Sequence, residues 1–198
     1  DFVFTPAVEE MYPEPDTRIF DFGELDKVME GVHRPGHFNG VAQVVSRLFD
    51  IIRPSAAYFG QKDLQQLTII REMARHSFPK TEIVSCPIVR EKDGLAMSSR
   101  NRRLLPEPRE RAGEIFKTLL AAAAMAPDTE PNDIREFVAD RINMIPGFNL
   151  EYFEIVEEST LAPVRSKNEM NPGRNYYGCI ALFAGEVRLI DNIAIRVR

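Results

Sequence analysis

Between Ala57 and Val89 the chain passes through a short apolar stretch, an amphipathic stretch and a second apolar stretch, and this succession constrains the fold more than any other feature of its 198 residues. Ala57-Tyr58-Phe59 reads as a strand closed by Gly60. From Leu64 onward, Leu67, Ile70, Met73, Ala74 and Phe78 fall along one face of a helix. Ile83 to Val89 reads as the next strand, where Pro87, lacking an N–H, predicts a bulge or an unpaired stretch. Strand, helix and strand within roughly thirty residues make a βαβ unit. Such units build parallel sheets whose ligands gather at the carboxyl ends of the strands, so Gly60 and the residues after it are expected to face a ligand. Upstream, Val41, Val44, Val45, Leu48, Ile51 and Ile52 recur at helical spacing and predict another helix.

The second half changes character. Pro106 and Pro108 open a predicted helix carrying Ile115, Phe116, Leu119 and Leu120, and a second helix around Ile134 to Ile142 follows the linker-like APDTEP. Leu150 to Val156, Gly178 to Phe183 and Val187 to Ile193 read as strands, the last two joined as an antiparallel hairpin through Ala184-Gly185-Glu186. The expected fold class is α/β, a partial parallel sheet over residues 1–89 followed by a small α+β domain with an antiparallel sheet over 90–198.

Composition excludes several classes of function. At 44% hydrophobic and 28% charged residues the chain is expected to fold rather than stay disordered. Its longest clean apolar run, Leu119 to Ala126, falls far short of the ~20 residues needed to span a bilayer. No basic stretch followed by an apolar one opens the sequence, and cytoplasmic residence is expected. Cys86 and Cys179, each in an apolar stretch, suit buried reduced thiols better than a disulfide. A net charge of −5 gives no general attraction to nucleic acid, so a bound anion must be met by a local cluster. Residues 90–103 are such a cluster, with five Lys/Arg against two Asp/Glu.

Two segments carry the chemistry. In YFGQKDLQQL, Lys62 sits at or just before a helix start, where the helix dipole disfavours a cation by ~0.3–1 kcal/mol. Gln66 comes one turn later and shares a side of that helix with Lys62 and Asp63. A lysine beside helix-start N–H groups suits a phosphate; an exposed lysine beside a capping Asp63 is equally compatible with the spacing. In REKDGLAMSSRNRRL, Gly94 allows a turn, Ser98 and Ser99 offer hydroxyls, and Arg100 offers a planar fork for phosphate oxygens. Alternatively, Ser98 or Ser99 caps a helix and the arginines are merely solvated.

The stretches HRPGHFNGVAQVVSRLFDIIRP, AYFGQKDLQQL, PIVREKDGLAMSSRN and FTPAVEEMYP together resemble the pantothenate synthetase family, the pantoate–β-alanine ligases of the cytidylyltransferase-like nucleotidyltransferase superfamily. The resemblance implies a Rossmann-like first domain and a smaller lid domain. It implies that ATP and pantoate form a pantoyl adenylate and pyrophosphate with Mg²⁺ assisting, and that the amine of β-alanine then releases pantothenate and AMP. By the family pattern Gly60, Gln61, Lys62 and Asp63 line the ATP site, and Val89 meets adenine through its backbone. Met97, Ser98, Ser99 and Arg100 form a mobile loop that closes on the triphosphate. Lys62, Ser98 and Arg100 are the catalytic set, while Gln66, His37 and Arg34 hold pantoate. No protein side chain is expected to ligate the metal, and a homodimer is expected.

Two departures from the family pattern stand out. Gln61 replaces the glutamate of Gly-Glu-Lys-Asp, removing one charge beside Lys62. The family's Met-Gly and His-x-Gly-His motifs have no counterpart after Asp1, so the chain is expected to be part of a longer one and to be inactive alone. Pro35 and Gly36 separate His33 from His37 and break any helix through both, so the pair is not expected to bind a metal. A nucleotidyltransferase acting on another acceptor, and a fragment that only folds and self-associates, remain the competing readings.

Overall fold

The computed structural model describes residues 2–196. Its elements run α1 (Val8–Met11), α2 (Glu30–His33), α3 (His37–Ile52), β1 (Ala56–Gly60), a 3-10 turn (Gln61–Asp63), α4 (Leu64–Ser77) and β2 (Glu82–Cys86). A second 3-10 turn (Ser99–Arg103) leads into α5 (Pro106–Arg111), α6 (Gly113–Met125), α7 (Pro131–Asn143), β3 (Phe148–Glu157), β4 (Tyr176–Ala184) and β5 (Val187–Ile195).

The βαβ unit forms as its pattern demands: β1 and β2 pair in parallel, Gly60 opposite Cys86, with α4 crossing between them. Leu67, Ile69 and Ile70 of α4 are at most 1% exposed, and burying each is worth about 1.5–3 kcal/mol. The second strand is shorter than its composition suggests. It ends at Cys86 because Pro87 cannot extend the ladder, and Pro87 begins an unpaired stretch rather than a bulge. The predicted apolar face of α3 also needs correction. Phe38, Ala42, Ser46 and Phe49 are its buried residues, spaced at three to four, whereas Val44, Ile51 and Ile52 are exposed. The helix expected after Pro106 is two helices, α5 and α6, meeting at Ala112. Leu120 of α6 is exposed instead of joining the core.

The antiparallel sheet has the order β3-β4-β5, with Gly185 at a positive φ of 59° in the β4–β5 turn. Both of its faces are covered. Ile155, Ile180, Leu182, Val187 and Leu189 meet Ile115, Leu119, Ile134 and Val138 of α6 and α7. Val156 and Cys179, with the half-buried Tyr152 and Tyr177, join Phe38, Phe49, Leu64 and Ile69 of the first half. Because strand side chains alternate between faces, β5 sends Val187, Leu189 and Ile195 to the helices and Arg188 and Asn192 toward α2 and the Gln61–Asp63 turn. A charged and a polar residue thereby reach the junction of the two halves.

Candidate functional site

The carboxyl end of β1 delivers the chain straight into the 3-10 turn, and Lys62, Asp63 and Gln66 line a cleft. Arg34 and His37 face it from the α2–α3 connection, and Ile190, Asp191 and Asn192 from β5. A second, adjoining hollow is lined by Lys62 together with Ser98, Arg100, Asn101, Arg188 and Asp191. Lys62 therefore belongs to both, and Arg100 comes to it from a segment distant in sequence. A shallower groove beyond places Arg100 with Arg34, Arg103 and Arg188. Among the described residues Arg34, Lys62 and Arg100 form no salt bridge, so their charge is available to an anion.

The two histidines part company. α2 ends at His33, and Gly36, left-handed at φ 77°, caps the start of α3, so His33 and His37 lie on different helices. His33 stacks on Tyr152 with ring centroids 5.7 Å apart. His37 faces the cleft; its burial, with the charge of Arg34 and further off Arg100, holds the imidazole below its ordinary 6.5. It is neutral at pH 7 and can accept a hydrogen bond from a hydroxyl.

The loop after β2 is less free than its glycine suggests. Glu91 N–H donates to Leu95 O at 2.8 Å, Gly94 N–H to Glu91 O at 2.9 Å and Met97 N–H to Val89 O at 2.9 Å. Ser98 Oγ accepts from Arg100 N–H at 3.2 Å and so caps the second 3-10 turn, as the capping alternative required. Ser98 nevertheless lines the hollow with Arg100. Gly60, Gln61, Val89, Met97 and Ser99 adjoin these residues in sequence without lining either hollow. Val89 and Met97 are 66% and 49% exposed.

Residues that sequence reasoning passed over hold the site together. Arg90 binds Asp191 through two hydrogen bonds of 2.6 and 3.0 Å and lies 3.7 Å above the Phe116 ring. Burial pushes the Asp191 carboxyl up, and the Arg90 guanidinium pulls against it. Arg188 binds Glu30 at 2.9 and 2.6 Å and also engages Glu151, while the Tyr152 hydroxyl donates to Glu30 at 2.8 Å. Burial alone would raise the Glu30 carboxyl, but Arg188 and Tyr152 outweigh it and hold the group below its ordinary 4.5. Gln65, not its neighbour Gln66, is the buried anchor: it donates to Leu25 O and Val28 O at 2.7 and 2.8 Å and accepts from Glu30 N–H at 2.9 Å. That leaves Gln66 to the cleft. The available signal for this layer was polar residues inside apolar strands, above all Asp191-Asn192 within LIDNI.

Both cysteines are free thiols; Cys179 is buried, which pushes its thiol up to about 12. Among the described residues no group of three His, Cys, Asp or Glu side chains is placed to hold a metal, and no helix is long and apolar enough to cross a membrane.

Residues 1–194 match the family described as Pantoate-beta-alanine ligase. The pantothenate synthetase of Bacteroides fragilis strain YCH46 is 55% identical over 192 residues, covering 97% of this chain and 67% of that protein. That of Porphyromonas gingivalis strain W83 is 49% identical, covering 96% and 67%. Among solved structures, a pantothenate synthetase from Thermus thermophilus superposes with a TM-score of 0.89 at 41% identity, covering 99% of this chain and 70% of that one. A Francisella tularensis pantoate-beta-alanine ligase complexed with beta-gamma ATP and beta-alanine gives 0.68 at 29%, covering 94% and 61%.

Proposed function

We propose, from the premise that this chain belongs to the pantoate–β-alanine ligase family, that its cleft binds ATP beside pantoate and makes pantothenate through a pantoyl adenylate. A pantoate carboxylate oxygen attacks the α-phosphorus, the bond to the bridging oxygen of the β-phosphate breaks, and pyrophosphate leaves. The amine of β-alanine then attacks the acyl carbon, loses a proton and expels AMP. The first step brings two anions together, so it depends on positioning and on cations aimed where charge gathers.

Lys62 and Arg100 supply those cations on the phosphates, with Ser98 beside them. Gly60, Gln61, Asp63, Val89, Met97 and Ser99 complete the nucleotide's surroundings. Arg34, neutral His37 and Gln66 receive pantoate, Arg34 suiting its carboxylate and His37 its hydroxyl. Mg²⁺, which prefers phosphate oxygens and water, would be held mainly by the nucleotide itself and would supply further positive charge on the leaving phosphates. The enzyme works in the cytoplasm as a homodimer.

The observation that carries this reading is the meeting of Lys62 and Arg100 at one hollow. Its test is exchange of labelled pyrophosphate into ATP. Exchange that depends on pantoate supports the reading, whereas exchange supported equally by an unrelated acid points to another nucleotidyltransferase. If exchange begins only when the amino-terminal third of a relative is supplied, the remaining phosphate contacts belong to that segment. No exchange under either condition overturns the ligase mechanism.

A further inference from the structure

Asn192 is 2% exposed, and its side-chain amide donates to two successive backbone carbonyls, Gln61 O at 2.9 Å and Lys62 O at 3.0 Å. Its own Oδ1 is buried without a hydrogen-bond partner. An unpaired buried acceptor is destabilising, and an apolar residue of similar size would fill the position without that penalty. Packing therefore does not explain an asparagine here; its two donors do.

We infer that Asn192 is a positioning residue for Lys62, holding the Gln61–Asp63 turn against β5 so that the ammonium stays aligned with the cation of Arg100. The inference rests on the nucleotide reading above. It draws strength from the neighbouring residue in the strand. Asp191 holds Arg90, which in turn donates to Gly94 O at 3.0 Å and anchors the segment that ends in Ser98 and Arg100. Adjacent residues of one strand thus hold both anion-binding elements, and one strand step, roughly 3.3 Å, sets their offset. Misplacing a reacting or binding group by about 1 Å can cost a hundredfold. Loss of the Asn192 donors frees only a turn, so a smaller effect is expected.

Inorganic tripolyphosphate, titrated calorimetrically into the chain, is the probe. Asn192→Ala is expected to weaken binding roughly tenfold, and Asn192→Asp, which keeps the volume but replaces the donating nitrogen by oxygen, is expected to do the same. In a Lys62→Ala background the same substitutions should add less than about twofold, because residues acting through one group are not additive. Hydrogen exchange of the ligand-free chain should quicken at the amides of residues 61–64 in Asn192→Asp. A wild-type chain that does not bind tripolyphosphate overturns the nucleotide reading and this inference with it. Wild-type binding that survives Asn192→Asp unchanged, or a loss that is fully additive with Lys62→Ala, overturns the inference alone.

Discussion

Lys62 lines both hollows and makes no salt bridge among the described residues; the nearby Asp191 carboxylate attracts it only through space, so an anion can still engage its ammonium. With the amino-terminal third of a relative supplied, Lys62→Ala is expected to remove about 3 kcal/mol or more of transition-state stabilisation, read as a loss of at least roughly a hundredfold in pyrophosphate exchange. Gln66→Ala should behave differently. It is expected to raise the KM for pantoate roughly tenfold while leaving the ATP requirement intact, a split that steady-state kinetics with each substrate varied will show. Spacing put Lys62, Asp63 and Gln66 on one side of a helix, and all three do line the cleft, although α4 begins only at Leu64, after the 3-10 turn that carries Lys62 and Asp63. Gln65, Asn192 and Glu30 were not legible in this way. Their roles depend on which backbone carbonyl or charged partner meets them across the fold, and no local period encodes that.

At the scale of an element, the loop between β2 and the second 3-10 turn is the informative case. Gly94 adopts φ 94°, and a Cβ there would stand 2.7 Å from Cδ1 of Phe116, the ring beneath Arg90. Gly94→Ala is expected to cost about 1–3 kcal/mol through backbone strain, visible as a lowered melting temperature. The shift of Arg90 should also weaken tripolyphosphate binding. A variant with unchanged melting and unchanged binding would show that the loop is not pinned at this point. The glycine was read from sequence as a site of freedom, yet it is a close approach. A residue type tells that a turn is allowed, while the ring packed against it decides how far the turn can move. The break between α5 and α6 escaped notice for a related reason, since Ala112 is a good helix former with nothing in its type to mark a boundary.

Across the whole molecule, the Glu30–Arg188–Glu151 cluster with Tyr152 joins α2 to the antiparallel sheet. Because Glu30 is held below its ordinary 4.5 in the fold, it binds fewer protons there than in the unfolded chain at mildly acid pH. Its stabilisation is therefore full above pH 4.5 and is lost as pH falls through the depressed value. Glu30→Gln is expected to flatten the melting temperature against pH in that window, measured by calorimetry between about pH 3 and pH 7. An equally steep profile would assign the acid response to other carboxylates. The architecture itself was largely readable, from a βαβ succession and a run of three apolar strands. What stayed hidden is that the second sheet is buried on both faces, the reason its central strand β4 reads as a nearly continuous apolar run while β3 and β5 carry polar residues among their apolar ones.

That double burial makes β5 a ruler with two scales, odd-numbered side chains serving mainly the helix layer and even-numbered ones the cleft. Adding a single residue near the start of the strand would exchange the two sets, driving Arg188 and Asn192 into the oily layer and presenting leucine and valine to the ligand. Adding two would restore the parity. Insertions within the paired length of β5 therefore keep the two sets of side chains on their own faces only when they come in even numbers.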